Sequence, residues 1–406
     1  MKLVVTVYEE TCSSAIAAIR AIELPHDMVE VRAEKFAAID YGALREATSK
    51  PIILTFRGGR TPVDALDAGI DFIDIEWPHV PDVPERTVYS HHDYEGMRDV
   101  ERIMGEMWGR GCAHTKLAAS PRTFSENERL LQLLGQAEAC PTSVIGMGEG
   151  GLYSRILAPF VGSELAFVAA SNVAAPGQLT LQRAHEIYGV ARAEKVFAIV
   201  GNPAGHSLSP VIHNALFREK NVPAAYTIAS FESFEEIRDA FLRGNPCGLS
   251  VTTPFKEEAF RIDAEMGENA KRARAVNTLV NVNGTILSDN TDVDGFQALI
   301  PEATEAAVLG RGPTARAALV ALEDAKIPAT MFTRENMHTL RPFDLIVNTL
   351  PPEAEVLIPP CRTYIEAAYS GAGRNVKAER RIGGLELLHA QAVRQHQLFM
   401  KAFDGR

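Results

Sequence analysis

The chain has 406 residues, enough for two or three domains, and its 46% hydrophobic and 23% charged content is that of an ordinary globular protein. No run approaches the about 18 apolar residues of a membrane span. The net charge of −11, with Lys and Arg spread among carboxylates, argues against a nucleic-acid binder.

From the start, MKLVVTVYEETCSS reads as a first strand, since its apolar run is too short for a signal peptide, and the cytoplasm is the expected location. Further β-type runs follow at 28–33 (MVEVRA), 51–56 (PIILTF), 71–76 (DFIDIE), 86–91 (RTVYSH), 113–118 (AHTKLA), 142–147 (TSVIGM) and 164–169 (ELAFVA). Helical patterns such as SSAIAAIRAI and MRDVERIMGEMW fit between most of them. Alternating β and α argues a parallel sheet, and eight such strands close a TIM barrel. WPHVPDVPE, between the fourth and fifth strands, has three prolines and no room for a helix. The expectation is a trimmed (β/α)8 barrel over 1–190, lacking one or more outer helices. LTLQRAHEIYG (179–189) is its last helix, and the short ARAEK leads out of it.

A strand starts afresh at KVFAIVGNP, followed by AAYTIA, GLSVTT and NTLVNV in a sub-domain over 195–300. EAAVLG, ATMFTR and DLIVNTL belong to a second layer over 301–382. The amphipathic helix LELLHAQAVRQHQLFMKAF, within 383–406, packs back on the preceding sub-domain. The five cysteines (12, 112, 140, 247, 361) show neither a CxxC nor metal-ligand spacing, so reduced thiols and no metal are expected.

VLGRGPTARA forms a G-x-G-x-x-A turn between a strand and a helix, with Gly310, Gly312 and Ala315 letting the backbone approach a pyrophosphate. Pro313 removes one donor. The next strand ends in MFTREN, where a basic residue suits a 2′-phosphate, so Arg334 favours NADP over NAD. Thr314, Thr333, Asn348 and Thr349 complete the expected cofactor contacts.

GHSLSP, SVTTPFK, AVNTL and DNTDVDG each place small polar or charged residues at the end of an apolar strand. Singly they read as caps and turns; Asp292 could be an N-cap and Lys256 a solvated lysine. In this order they resemble shikimate dehydrogenase, from about residue 196 to the end. The resemblance implies that Ser207 and Ser209 bind the substrate carboxylate, and that Thr252, Asn277 and Gln391 hold ring hydroxyls. Tyr369 matches a late tyrosine of the family, and Lys256 with Asp292 is the catalytic pair. An ammonium beside a carboxylate suits the chemistry, because hydride transfer to or from a secondary alcohol needs a shuttle for the hydroxyl proton. Ser250 stands where the family has asparagine, GRGPT replaces G-A-G-G-A, and the nucleotide strand keeps one arginine of a fuller N-R-T.

The first half resembles type I 3-dehydroquinate dehydratase, an (α/β)8 barrel that works through a lysine Schiff base. EVR (30–32), TFR (55–57), SHHDY (90–94), CAHTKLAAS (112–120), GMGEGGLYSR (146–155) and APGQ (175–178) carry the likeness over residues 1 to about 188. It implies Lys116 as nucleophile and His92 as general acid/base. Arg155 and Gln178 would bind the substrate carboxylate, and Glu30, Arg32 and Arg57 would contact hydroxyls or order the site. Burial and nearby cations such as arginines would keep the lysine neutral. Alone, Lys116 reads as a lysine snorkelling at a barrel rim. His91 competes with His92, since side chains alternate along a strand; the family's H-D-F/Y pattern selects His92. The family's E-G-G turn after TFR is replaced by GGRTP, and an expected serine is Ala174, which predicts a weaker dehydratase.

The combined expectation is a bifunctional enzyme that dehydrates 3-dehydroquinate and reduces 3-dehydroshikimate with NADPH, with small-molecule substrates and neither nucleic acid nor membrane as partner. The rivals are an active dehydrogenase on a non-catalytic barrel, a quinate dehydrogenase using NAD, and a dinucleotide-binding regulator.

Overall fold

The computed structural model describes residues 1–57, 62–137, 140–189, 193–369 and 374–404. Much of the GGRTP turn and the start of ARAEK lie outside them. Two compact units result: Met1–Glu194 with Phe217–Phe231, and Lys195–Leu216 with Glu232–Arg406.

In the first unit eight strands form one parallel sheet: β1 (Lys2–Tyr8), β2 (Met28–Arg32), β3 (Ile52–Thr55), β4 (Phe72–Glu76), β5 (Thr87–Asp93), β6 (His114–Ala119), β7 (Thr142–Gly146) and β8 (Leu165–Ala169). The order β7-β6-β5-β4-β3-β2-β1-β8 is a barrel that is nearly closed. Among the described residues, β7 and β8 share no ladder. Serine side chains bridge that seam instead: Leu165 N donates to Ser143 Oγ at 2.8 Å, and Val144 N to Ser163 Oγ at 3.3 Å.

The helices α1 (Cys12–Arg20), α2 (Tyr41–Ala47), α3 (Val100–Trp108), α4 (Phe124–Gln136), α5 (Leu152–Val161) and α6 (Leu181–Ile187) follow β1, β2 and β5–β8. Among the described residues, only 3-10 turns, Val63–Leu66 and Pro84–Arg86, follow β3 and β4. The proline-rich WPHVPDVPE segment thus carries no α-helix. Period-two alternation sorts each strand. Ile73, Ile75, Leu117 and Ala119 pack outward under the helices, while Val4, Met28, Ile53, Val88, Ala118 and Phe167 fill the barrel interior.

The remaining elements are β9 (Lys195–Gly201), α7 (Ser209–Glu219), β10 (Ala224–Ser230), α8 (Glu235–Leu242), β11 (Gly248–Val251), α9 (Lys256–Ala259), β12 (Glu265–Met266), α10 (Glu268–Ala273), β13 (Thr278–Val282), β14 (Thr285–Asp289), α11 (Thr291–Leu299), β15 (Ala306–Leu309), α12 (Pro313–Asp324), β16 (Ala329–Phe332), β17 (Leu345–Asn348), β18 (Cys361–Glu366), β19 (Ala378–Ile382) and α13 (Gly384–Met400). In the second unit five strands run β9-β11-β13-β14-β12, with β11-β13 and β13-β14 antiparallel. A separate parallel sheet, β16-β15-β17-β18-β19, is Rossmann-like.

β12, β14, β18 and β19 were absent from the expectation. β14 had a readable signal, the Asn283-Gly284 hairpin, whose residues have φ of 52° and 96°. β19 reads AERRI, too polar to signal a strand, and forms at the edge of its sheet.

Candidate active sites

The first site is built on the inward face of β1–β6. In β6 (HTKLAA) His114, Lys116 and Ala118 share one face, and Lys116 is buried. Its Nζ donates to Glu30 Oε1 at 3.1 Å and Asp74 Oδ2 at 3.4 Å, and lies 4.0 Å from the centroid of the Phe167 ring. The nearest charges around the ammonium are therefore carboxylates, not the arginines the sequence suggested. The reason is the strand alternation: Glu30 on β2 and Asp74 on β4 point inward beside it.

Burial pushes the Glu30 carboxyl up, but Lys116, Arg32, Arg57 and a bond from Thr6 outweigh it, holding Glu30 well below the usual carboxylate range. Thr6 Oγ1 and Thr55 Oγ1 donate to it at 2.7 and 3.2 Å. Arg57 grips both oxygens of Asp74 at 3.0 Å and Glu76 Oε2 at 2.7 Å. Ser90 Oγ donates to Asp74 Oδ1 at 2.6 Å.

His92 shares the inward face of β5 with Ser90. Its backbone N donates to Glu76 Oε1 at 2.8 Å, and its Nδ1 lies 2.8 Å from Glu76 Oε2. Burial, then the positive charges of Arg57 and Lys116, depress its pKa well below 6.5. His91 faces the other way and packs edge-on against Trp77, ring centroids 5.4 Å apart.

The pocket, about 50 Å³, is lined by Glu30, Arg32, Arg57, His92, Lys116, Arg155 and Gln178, with Tyr94 and Phe167. Arg155 donates through Nε to Gly146 O at 2.6 Å, and its buried Nη2 has no hydrogen-bond partner among the described residues. Burial lowers its pKa to about 10. Gln178 is tied down by Ala174 N at 2.9 Å, and Arg32 is paired with Glu34 at 2.5 Å. Asp74, Glu76, Ser90, Thr6 and Thr55 are site residues the sequence reading passed over. DFIDIE carried the signal, because two carboxylates two residues apart in an apolar strand share a face.

The second site is a cleft of about 160 Å³ in the second unit. Lys256 opens the short α9 and Asp292 lies in the first turn of α11, whose N-cap is Asn290, not Asp292. Lys256 Nζ meets Asp292 Oδ2 at 2.5 Å, and Asn277 Nδ2 donates to Asp292 Oδ1 at 2.8 Å. Gln391 Oε1 accepts from Thr291 Oγ1 at 2.9 Å.

Ser209, Thr252, Thr314 and Tyr369 also line this cleft. Ser207 supports it: its Oγ accepts from Ser209 N at 3.1 Å. Burial raises the Tyr369 phenol, and a bond with Ser207 opposes the rise. Gln395 was not foreseen. From α13 it accepts from Ser250 Oγ at 2.6 Å and donates to Thr278 Oγ1 at 2.8 Å, bracing the position where the family carries asparagine.

Around the nucleotide turn, Gly310 and Gly312 differ. Gly310 has φ of +113°, and a Cβ there would lie 2.5 Å from Thr349 Oγ1, so its glycine is structural. A Cβ on Gly312 would meet nothing within 4 Å, and Gly312 caps α12 with no side-chain bond. Ala315 is buried. The Asn348 amide is consumed inside the sheet by Tyr364 Oη and both oxygens of Glu366, each at 3.1 Å. Thr349 Oγ1 donates to Leu309 O at 2.7 Å. Asn348 and Thr349 are therefore turned to protein partners, unlike the cofactor contacts the sequence suggested. Thr333 Oγ1 bonds Glu335 and is the main cause that pulls this carboxyl down, with smaller contributions from Arg311 and then Arg334.

Two α/β units, each with a pocket holding a buried lysine against carboxylates, define a chain with two separate lysine–carboxylate centres. Residues 3–195 match the family described as Type I 3-dehydroquinase, and residues 199–279 match the shikimate dehydrogenase substrate binding domain. The two matches follow one another along the chain without overlap. It is 30% identical over 363 residues to the pentafunctional AROM polypeptide of Lachancea thermotolerans, an alignment covering 78% of this chain and 22% of that one. It is 27% identical over 321 residues to the bifunctional 3-dehydroquinate dehydratase/shikimate dehydrogenase, chloroplastic, of Arabidopsis thaliana, covering 70% of this chain and 53% of that one. The solved dehydroquinate dehydratase and shikimate dehydrogenase from S. pombe AroM matches 99% of this chain and 98% of its own, at 19% identity and a TM-score of 0.41. The chain thus spans about a fifth of the pentafunctional relatives and about half of the plant one. Among the described residues no helix is long and apolar enough to cross a membrane.

Proposed function

We propose that this chain carries two consecutive activities of the shikimate pathway, dehydrating 3-dehydroquinate in the barrel and reducing 3-dehydroshikimate with NADPH in the second unit. The observation that carries the first activity is one pocket joining buried Lys116, His92 and an Arg155 guanidinium with an unpartnered N–H. That N–H suits the substrate carboxylate, because a buried donor is costly to leave unpaired.

Lys116 Nζ attacks the substrate ketone after shedding a proton, for which Asp74 is a carboxylate within reach. Loss of water gives the iminium, which acidifies the adjacent C–H. His92, kept neutral by burial, takes that proton and returns it to the departing hydroxyl. Water then releases the product from Lys116.

In the second unit Lys256 and Asp292 hold and move the proton of the reacting oxygen, with Asn277 fixing the carboxylate from its other side. The residues present fit a dinucleotide. The space over Gly312 and the uncapped α12 N-terminus suit a pyrophosphate, Thr314 lines the same cleft as Lys256, and Arg334 suits a 2′-phosphate. When bound, NADPH supplies the hydride. Glu335 supports a second reading, NAD, because an acidic side chain at this strand end suits a free 2′-hydroxyl.

Borohydride added with 3-dehydroquinate tests the first activity: mass spectrometry should find a reduced adduct on Lys116, and its absence refutes the Schiff base. Adding 3-dehydroshikimate with NADPH, and separately with NADH, tests the second by loss of absorbance at the nicotinamide band. Adding 3-dehydroquinate with NADPH tests both in sequence.

A further inference from the structure

Residues 199–279 match the shikimate dehydrogenase substrate binding domain, yet Phe217–Phe231 pack in the barrel unit. Within that segment β10 lies along α5, the helix that carries Arg155. Two buried hydroxyls tie it there. Thr227 Oγ1 donates to Tyr153 O at 2.9 Å, and Ser230 Oγ donates to Glu149 Oε1 at 2.8 Å. Phe231 meets Phe124 edge-on, ring centroids 6.3 Å apart, and Phe124 meets Tyr153 at 5.1 Å. We infer that β10 and Phe231 form the supporting wall of the dehydratase carboxylate site, with Thr227 and Ser230 as positioning residues for Arg155 and Gln178; the inference rests on the dehydratase reading above.

The path from these hydroxyls to the pocket is short. Glu149 lies in the loop between β7 and α5. At the start of that loop Gly146 O accepts from Arg155 Nε at 2.6 Å, and at its end Gly151 O accepts from Arg155 N at 3.0 Å. Between them Gly148 N donates to Pro176 O at 3.1 Å, and a Cβ on Gly177 would lie 2.8 Å from Gly148 O. The loop therefore fixes Arg155 on one side and, on the other, the 174–178 segment with Gln178. The helix itself is weakened at Pro159, which has no N–H to give Arg155 O. Tyr188 Oη donates to that carbonyl at 3.5 Å, and Arg218, from the same 217–231 segment, donates through Nη1 to Tyr188 O at 3.3 Å. A helix with proline in its middle needs outside support to aim a guanidinium, and 217–231 gives that support at three points.

The full chain carrying Thr227→Val and Ser230→Ala together tests the inference. Arg155 and Gln178 would hold the substrate carboxylate both before and during the reaction, so loosening them removes uniform binding. KM for 3-dehydroquinate should rise by about 10-fold with kcat within about threefold of wild type, and borohydride should still trap saturating substrate on Lys116. The conservative Thr227→Ser, which keeps a hydroxyl, should stay within about twofold of wild type in both constants. Hydrogen exchange followed by mass spectrometry should quicken in peptides covering 146–151 and 174–178 and stay unchanged in α1 and α2. NADPH oxidation with 3-dehydroshikimate should stay within about twofold, since neither hydroxyl lines that cleft. A dehydratase KM within about twofold of wild type overturns the inference, and so does unchanged exchange in the two loops. Exchange that quickens evenly through the barrel unit, or an equal loss of NADPH oxidation, marks general destabilisation and also overturns it. If the double variant does not fold, Ser230→Ala alone decides, with a rise in KM of about threefold expected and the same results against it. If the wild type does not dehydrate 3-dehydroquinate, the dehydratase reading fails, and the exchange measurement still tests the hold of β10 on the two loops.

Discussion

Replacing Lys116 with methionine tests the electrostatics of the barrel as well as its chemistry. The change keeps most of the side-chain volume, so little cavity is created, but it removes the positive charge 3.1 Å from Glu30 and 3.4 Å from Asp74. At an effective dielectric of about 20 each contact amounts to about 5 kcal/mol of gross attraction. Solvation of the ammonium in the unfolded chain offsets much of that. Breaking a buried pair by removing one partner leaves a net loss of about 3–5 kcal/mol, a large part of the about 5–15 kcal/mol that holds a domain together.

The loss should depend on pH. In the wild type Glu30 is depressed, so its contribution is present above its ordinary pKa of 4.5 and fades as the pH falls through the folded value. In the variant the burial that already pushes Glu30 up meets less opposition, and its folded pKa rises. Ionising it then opposes folding at pH 7, and protonating it relieves the strain near pH 4.5. The stability difference between the two proteins should therefore be largest near pH 7 and shrink toward pH 4.5. Urea unfolding followed by tryptophan fluorescence measures it, because both tryptophans, Trp77 and Trp108, lie in the barrel unit. A difference under about 1 kcal/mol at pH 7, or one that does not change with pH, would refute the reasoning.

His92→Ala should lower dehydration by about 100- to 10,000-fold while leaving the borohydride adduct on Lys116 intact; loss of the adduct would contradict the division of roles. Because burial and neighbouring cations push His92 well below 6.5, the acid limb of dehydratase kcat/KM should lie below pH 6.5, and a limb at or above 6.5 contradicts a neutral resting His92. In the second unit Lys256→Ala or Asp292→Asn should reduce NADPH oxidation by about 100-fold or more without altering dehydration, checked in the two separate assays. The two nucleotide glycines should divide cleanly. Gly310→Ala should lower stability by about 1–2 kcal/mol because of its left-handed φ. Gly312→Val should leave thermal stability unchanged and weaken NADPH binding measured by fluorescence titration.

Much of the frame is legible in the sequence. The eight β-type runs fall on the eight barrel strands within about two residues at each end, because period-two alternation and punctuation by Gly and Pro are local properties. The prolines between β4 and β5 foretold the missing helix for the same reason. β18 and β19 were harder. CRTYIE alternates weakly and becomes a strand between β17 and β19, while AERRI has almost no apolar signal and is accepted at the sheet edge. Gln395 was invisible because its partners, Ser250 and Thr278, lie 145 and 117 residues away in sequence.

Lys116 marks the division most clearly. The sequence alone determines that a lysine interrupts an apolar strand, that this strand is the sixth of eight, and that His92 lies on the strand before it. It does not determine what surrounds the ammonium. That depends on strands wrapping far enough to bring Glu30, 86 residues away, and Asp74, 42 residues away, onto the same inner layer. Strand alternation is a short-range rule, whereas the electrostatics of a buried charge are set by every strand the barrel places around it. The tertiary structure therefore decided that Lys116 is clasped by two carboxylates and that Glu76 lies against the ring of His92.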